Sequence, residues 1–170
     1  TRGTGDPLSK FFQIQDGISI IGMNCLDEKI SVLSMTNKGY GFISLYTDMV
    51  VKNKKGKTLL KTKDSHACYS ITVDLDQDTH YILITSDGYM LICELKVIPI
   101  LSKGRGIKLI NIPKTSTETI IFSGVLKKGQ SLVFNYESKR SKKIEYTDLK
   151  AFMMDKSRRG KKIDKKFLLE

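Results

Sequence analysis

The chain has no tryptophan, three prolines and two histidines, and its three cysteines are far apart. Each scarcity excludes something. An odd cysteine count (Cys25, Cys68 and Cys93) with no CxxC pair argues against a disulfide framework or a zinc site. Each cysteine lies in an apolar-rich stretch, so free, buried thiols are expected. His66 and His80 alone suggest no Ser-His-Asp or Cys-His arrangement. His66 and Cys68 could share one side of a strand, but two ligands do not close a metal site. The longest apolar runs, such as Tyr89-Met90-Leu91-Ile92-Cys93, span a few residues. A membrane span needs roughly 20. No charged-then-apolar leader is present, so no secretory signal is expected. Helical periodicity is scarce throughout.

What is present is charge and a repeating pattern of short strands. The sequence holds 29 basic and 18 acidic residues, for a net charge of +11. The excess is concentrated: residues 127–170 carry 14 basic and 6 acidic side chains. A balance of this size speaks to partners, not to fold. Nucleic acid is the first candidate, and an anionic membrane surface is the second. Hydrophobic content is 40%, enough for a core.

The strands come as hairpins. Ile30, Val32, Leu33 and Met35 lead through Asn37, Lys38 and Gly39 into Phe42, Ile43, Leu45 and Tyr46. Glycine supplies the positive-φ position of such a turn. Tyr81-Ile82-Leu83-Ile84-Thr85 repeats the unit through Ser86, Asp87 and Gly88. A third copy runs from Ser131 to Phe134, turns through 138–141, and returns from Lys142 to Tyr146. Residues 147–152 suggest a short helical connector with Thr147 as N-cap. Its counterparts are residues 47–50 and 94–97.

A basic, glycine-bearing loop follows each hairpin. The first carries Lys52, Lys54, Lys55, Gly56 and Lys57; the second Lys103, Gly104, Arg105, Gly106 and Lys108. The third carries Arg158, Arg159, Gly160, Lys161 and Lys162, and Arg2-Gly3-Thr4-Gly5 reads as the tail of an earlier copy. Glycines 5, 56, 106 and 160 are separated by 51, 50 and 54 residues. A repeat of about 50 residues with about four short strands is a propeller-type signature. Cations at alternate positions of an extended segment project to one side, and glycine lets another molecule's backbone approach. That combination suits a phosphate backbone. The lysines and arginines of the three loops, from Lys52 to Lys162, are therefore the candidate phosphate-binding set, with Gly56, Gly104, Gly106 and Gly160 as its loop glycines.

Three of these stretches carry a family resemblance. Thr36-Asn37-Lys38-Gly39-Tyr40-Gly41-Phe42 is similar to a "T/S-x-x-G-Y-G" hairpin turn. Residues 101–113 are similar to an "LSKG-G-K-INIP" run, and residues 48–57 to a "D-L-V" segment leading into a basic "N-x-x-GK" loop. Together they resemble the C-terminal domain of the A subunit of bacterial type IIA topoisomerases, the gyrase and topoisomerase IV family. The resemblance is good from residue 4 to 113; beyond 114 only repeat spacing and charge persist. The run at 101–113 favours the topoisomerase IV branch, and no glutamine-arginine-arginine-glycine-glycine-lysine-glycine box of the gyrase type is present.

The resemblance implies an all-β fold: a β-pinwheel of four-stranded blades, propeller-like, here a partial set. One domain over 1–170 is expected, with repeats near 1–16 (partial), 17–62, 63–113 and 114–170. It implies a basic rim that binds and bends duplex DNA, steering segment choice for ATP-dependent strand passage. The catalytic tyrosine, Mg2+ and ATP would lie elsewhere in the parent enzyme, so no catalytic residue, cofactor or metal is expected in this chain. The implied partners are duplex DNA, an A-subunit dimer and a B subunit, with no membrane and a cytoplasmic, nucleoid-associated location. The rival classes are a gyrase-type wrapping domain, a protein-interaction propeller for acidic partners, and an RNA-binding β-domain.

Other constellations read as structure. Asp74, Asp76 and Asp78 alternate like a calcium loop but lack its glycine and closing glutamate, so they read as a turn. Asp16 with Gly17, and Asp27 with Glu28, read as turns. Tyr40, Tyr89 and Phe42 read as blade packing, since duplex DNA hides its base faces.

Overall fold

A computed structural model describes residues 3–14, 17–24, 28–63, 65–135 and 141–163. Arg2, Asp16, Cys25, Asp27, the turn at 138–140 and residues 164–170 lie outside these residues.

Ten strands and a few single helical turns make up the described chain. The strands are β1 (Ser31–Thr36), β2 (Tyr40–Leu45), β3 (Ala67–Val73), β4 (Asp78–Thr85) and β5 (Tyr89–Glu94), then β6 (Ile107–Lys108), β7 (Ile120–Lys127), β8 (Leu132–Asn135), β9 (Ser141–Ile144) and β10 (Lys161–Lys162). One four-stranded sheet has the order β3-β1-β2-β6, and a second has β7-β4-β5-β10. β8 and β9 form a hairpin of their own, pairing Leu132 with Ile144. All of these pairings are antiparallel. The fold is a β-pinwheel of antiparallel blades.

Strand alternation explains the layering. Successive side chains of a strand point to opposite faces. In β4, Tyr81 and Leu83 enter a core with Leu33, Met35, Ile43, Leu91, Leu109 and Ile110. Ile82 and Ile84 face the other way, toward Met90, Ile92, Ile144, Leu149 and Ile163. The inner part of this sheet, in β4 and β5, is thus buried on both faces, which is why residues 81–84 form an uninterrupted apolar run. The Tyr81 hydroxyl is satisfied in this core by donating to the Leu109 carbonyl at 3.1 Å.

The connectors follow the hairpins as the sequence suggests. α1 (Tyr46–Met49) follows β2, a 3-10 turn at Leu95–Val97 follows β5, and α2 (Tyr146–Leu149) follows β9. Thr147 is not a cap. It lies inside α2, the cap position belongs to Glu145, and no side-chain cap bond forms. The aspartates after β3 are a hydrogen-bonded turn: Asp76 N–H donates to Asp74 Oδ1 at 3.0 Å, and Asp74 N–H to Asp78 Oδ2 at 2.9 Å. Among the described residues no group of three or more His, Cys, Asp or Glu could hold a metal. Nor is any described helix long and apolar enough to cross a membrane.

Cys68 is half-buried and Cys93 buried, and both are free. Burial pushes the Cys68 thiol up to about 12, and it raises Cys93 as well. The nucleophile is the thiolate, so at pH 8 both groups stay protonated and slow. Iodoacetamide should leave the peptides carrying Cys68 and Cys93 unmodified in the folded chain while labelling them fully in denaturant. Peptide mass spectrometry reads this directly, and equal labelling in both states would refute the burial.

Candidate nucleic-acid interface

The turn between β1 and β2 is a tight one. Gly39 has φ +79, a conformation that L side chains rarely adopt. The Thr36 carbonyl accepts from Gly39 N–H at 2.9 Å, and Thr36 Oγ1 accepts from Tyr40 N–H at 3.2 Å. The turn between β4 and β5 repeats this arrangement. Gly88 has φ +80, its N–H donates to the Thr85 carbonyl at 2.8 Å, and Tyr89 N–H donates to Thr85 Oγ1 at 3.2 Å.

Each turn receives a two-residue strand from much later in the chain. β6 pairs Ile107 with Gly41 and Lys108 with Tyr40. β10 pairs Lys161 with Met90 and Lys162 with Tyr89. The residue after each strand then bonds the turn glycine: Leu109 N–H donates to Gly39 O at 2.7 Å, and Ile163 N–H to Gly88 O at 2.8 Å. The second and third basic segments therefore each close the sheet of the hairpin before the one they follow.

Glycine permits this closure. A Cβ on Gly106 would sit 2.1 Å from Gly41 O, and one on Gly160 would sit 2.4 Å from Met90 O. Both glycines also have positive φ, +75 and +86. The close approach foreseen for another molecule is made here by the chain's own strand. The same dihedrals break the extended geometry on which alternating cations would share a side, because Gly104 also departs, at φ +149.

The cations fall into two groups. Arg105 stacks on Tyr40, its Cζ 3.8 Å from the ring centroid; Arg159 stacks on Tyr89 at 4.1 Å, with Lys162 Nζ at 5.8 Å. Such contacts contribute about 0.5–1 kcal/mol each at exposed sites. Tyr40 and Tyr89 are thus half-exposed platforms for arginine and not blade packing, while Phe42 is buried in the blade as expected. The tyrosines are the first residues of their strands, where the ring can lie against an incoming segment. The recurring Gly-Tyr and Arg-Gly pairs were the sequence signal for these stacks.

The first basic segment is different. Lys52, Lys54, Lys55, Gly56 and Lys57 are exposed, and a Cβ on Gly56 would meet nothing within 4 Å. Lys57 Nζ donates to Asp48 O at 2.7 Å and Lys54 Nζ to Lys10 O at 3.4 Å. Lys103, Arg158 and Lys161 are also exposed. Lys108 Nζ donates to Asn111 Oδ1 at 2.5 Å.

Backbone bonds join the residues just after one segment to the next segment, in order. Gly104 N–H donates to Leu59 O at 2.8 Å and Lys61 N–H to Gly104 O at 2.7 Å. Ser157 N–H donates to Leu109 O at 3.1 Å and Asn111 N–H to Arg158 O at 2.9 Å. A cleft of about 430 Å³ opens beside Arg105, lined by Lys38, Tyr40, Lys63, Lys108 and Lys114 among others. Lys38, Lys63 and Lys114 are not evident from the sequence because none lies in the three basic loops that recur about every 50 residues.

A hairpin-plus-returning-strand blade, repeated and chained, defines a β-pinwheel of the type found in the A subunits of type IIA topoisomerases. The chain is homologous to the C-terminal region of the topoisomerase IV A subunit. It is 30% identical over 163 residues to the A subunit of DNA topoisomerase 4 from Haemophilus influenzae, covering 94% of this chain and 22% of that protein. The Salmonella typhimurium protein of the same name is 29% identical over 164 residues, again 94% and 22%. The chain thus spans about a fifth of the length of these curated relatives. The solved Escherichia coli ParC C-terminal domain matches with a TM-score of 0.82 at 27% identity, over 95% of this chain and 67% of that one. A gyrase A C-terminal domain matches in fold, with a TM-score of 0.72 at 17% identity, over 96% and 56%. No family model matches the chain.

Proposed function

We propose that this chain is a non-catalytic module of a topoisomerase IV A subunit that binds and bends duplex DNA, presenting a path of cations to its phosphates. On this reading residues 1–170 are one domain of about 50-residue repeats. The parent enzyme would use Mg2+ and ATP bound elsewhere and assemble with B subunits through an A-subunit dimer. It would work in the bacterial cytoplasm on chromosomal DNA. The module would steer which DNA segment is passed, and would cut nothing itself.

The observation that carries this reading is the ordering of three basic segments, each backbone-bonded to the residues just after the one before it, with two of them laid on Gly-Tyr hairpins under a stacked arginine. Cations held in a fixed order can follow a phosphate backbone without reading bases. Binding should then be weakly dependent on sequence and steeply dependent on salt, log K falling by about 0.9 per log salt for each phosphate engaged.

The test is duplex binding and bending by the chain across a salt series. The triple variant Lys103→Ala, Arg105→Ala, Lys108→Ala should weaken binding to unrelated duplexes equally and flatten the slope by about 2–3. Preference for a polyglutamate chain over duplex would favour a propeller for acidic protein partners. Preference for single-stranded RNA would favour the RNA-binding class. Either result would overturn the present reading.

A further inference from the structure

The two arginine-on-tyrosine sites share their backbone and differ in their charge surroundings. Arg159 has two carboxylates beside it: Glu118 Oε2 lies 2.9 Å from Nη2, and Asp87 Oδ2 lies 3.6 Å away. The Glu118 side chain is fully buried. It reaches this place because residues 113–119 cross from one blade to the next. Lys38 Nζ donates to Ser116 O and Glu118 O, each at 2.9 Å, and Thr119 N–H donates to Ser86 Oγ at 3.2 Å. Arg105 makes no ion pair among the described residues. The described lining of its cleft supplies Lys38, Lys63, Lys108 and Lys114 and no carboxylate.

A carboxylate buried against a guanidinium cancels most of the charge that a distant phosphate would feel. An arginine resting on a tyrosine face keeps its charge and its outward-facing donors. We propose that the two sites divide their roles: the Arg105 cleft seats a backbone phosphate of duplex DNA, and Glu118 silences the Arg159 site, so that one side chain sets how many phosphates this face engages. The inference rests on the duplex-DNA reading above and adds which blade makes the contact and what holds the other back.

The two sites therefore answer differently to substitution. Arg105→Gln removes an exposed charge and should lower affinity for a labelled duplex, with the salt slope falling by about 0.9. Glu118→Gln keeps the shape of the side chain and removes its charge. It should raise affinity several-fold and steepen the slope by a similar amount, because Arg159 becomes available. That gain should vanish in the double variant Glu118→Gln, Arg159→Gln.

Thermal melts confirm folding of each variant before binding is compared. A wild-type chain with no salt-dependent duplex binding overturns the DNA reading and this inference with it. If the wild type binds but Arg105→Gln leaves the slope unchanged, the inference alone falls. It also falls if folded Glu118→Gln binds like the wild type, or if its gain survives removal of Arg159. Should Glu118→Gln not fold, the single variant Arg159→Gln decides: a silenced Arg159 predicts an unchanged salt slope, and a fall of about 0.9 would overturn the inference.

Discussion

Replacing Gly106 with alanine should destabilise the chain by about 3 kcal/mol, far more than the same change at Gly56. Both glycines sit in the left-handed region, at φ +75 and +71. That conformation costs an L residue roughly 1–2 kcal/mol. The difference lies in the surroundings. At Gly106 the new methyl would lie 2.1 Å from the carbonyl oxygen of Gly41 and 2.3 Å from its carbon. Those are backbone atoms of a buried strand, fixed by the β1–β2 ladder on the far side. The sheet cannot yield locally, so β6 must lift away and lose its pairing with Tyr40 and Gly41. At Gly56 no atom lies within 4 Å, and only the dihedral cost of roughly 1–2 kcal/mol remains. Urea unfolding of the two variants measures the difference. Equal midpoints would show that strand return contributes nothing to stability. Gly160→Ala, 2.4 Å from Met90 O, should resemble Gly106→Ala.

This contrast also shows where the sequence was informative. The hairpins were legible because alternation and a Gly turn are local: Thr36 to Tyr40 and Thr85 to Tyr89 fold by bonds within five residues. The third hairpin was legible from its apolar strands on either side of a polar turn, and its register pairs Phe134 with Lys142. The basic loops were legible as composition. Their destination was not, because a two-residue strand such as Lys161–Lys162 carries no periodicity from which a partner could be inferred. The spacing of Gly56, Gly106 and Gly160 suggested an opening for a foreign backbone. Two of the three prove to be openings for the chain's own. Tyr40 and Tyr89 were read as packing because duplex DNA hides its base faces; only the returning strand reveals that an arginine arrives on each ring. Glu118 left no trace in the sequence. A single acid in a polar loop looks solvated until two turns from different blades close over it.

That burial sets up the second large effect. Arg159→Met should cost about 2–3 kcal/mol, whereas Arg105→Met should cost under about 1 kcal/mol. Both variants remove a cation–π contact, which contributes roughly 0.5–1 kcal/mol. Arg159→Met in addition strands a carboxylate. Removing one member of a fully buried ion pair costs about 3–5 kcal/mol, chiefly through the charge left behind. The Arg159 side chain is 31% exposed, so water relieves part of that penalty and the lower figure applies. Neither Glu118 oxygen accepts a well-directed hydrogen bond among the described groups, despite the 2.9 Å separation from Arg159. The guanidinium therefore acts mainly as a counter-charge. Converting Glu118 to glutamine in the Arg159→Met background should then recover stability, since the group left buried is no longer charged. A double-mutant cycle in denaturant isolates the coupling. A cycle that closes at zero, or equal losses for the two methionine variants, would mean that Glu118 is indifferent to Arg159. Its burial would then need another cause, and the two Arg-on-Tyr sites would be electrostatically alike.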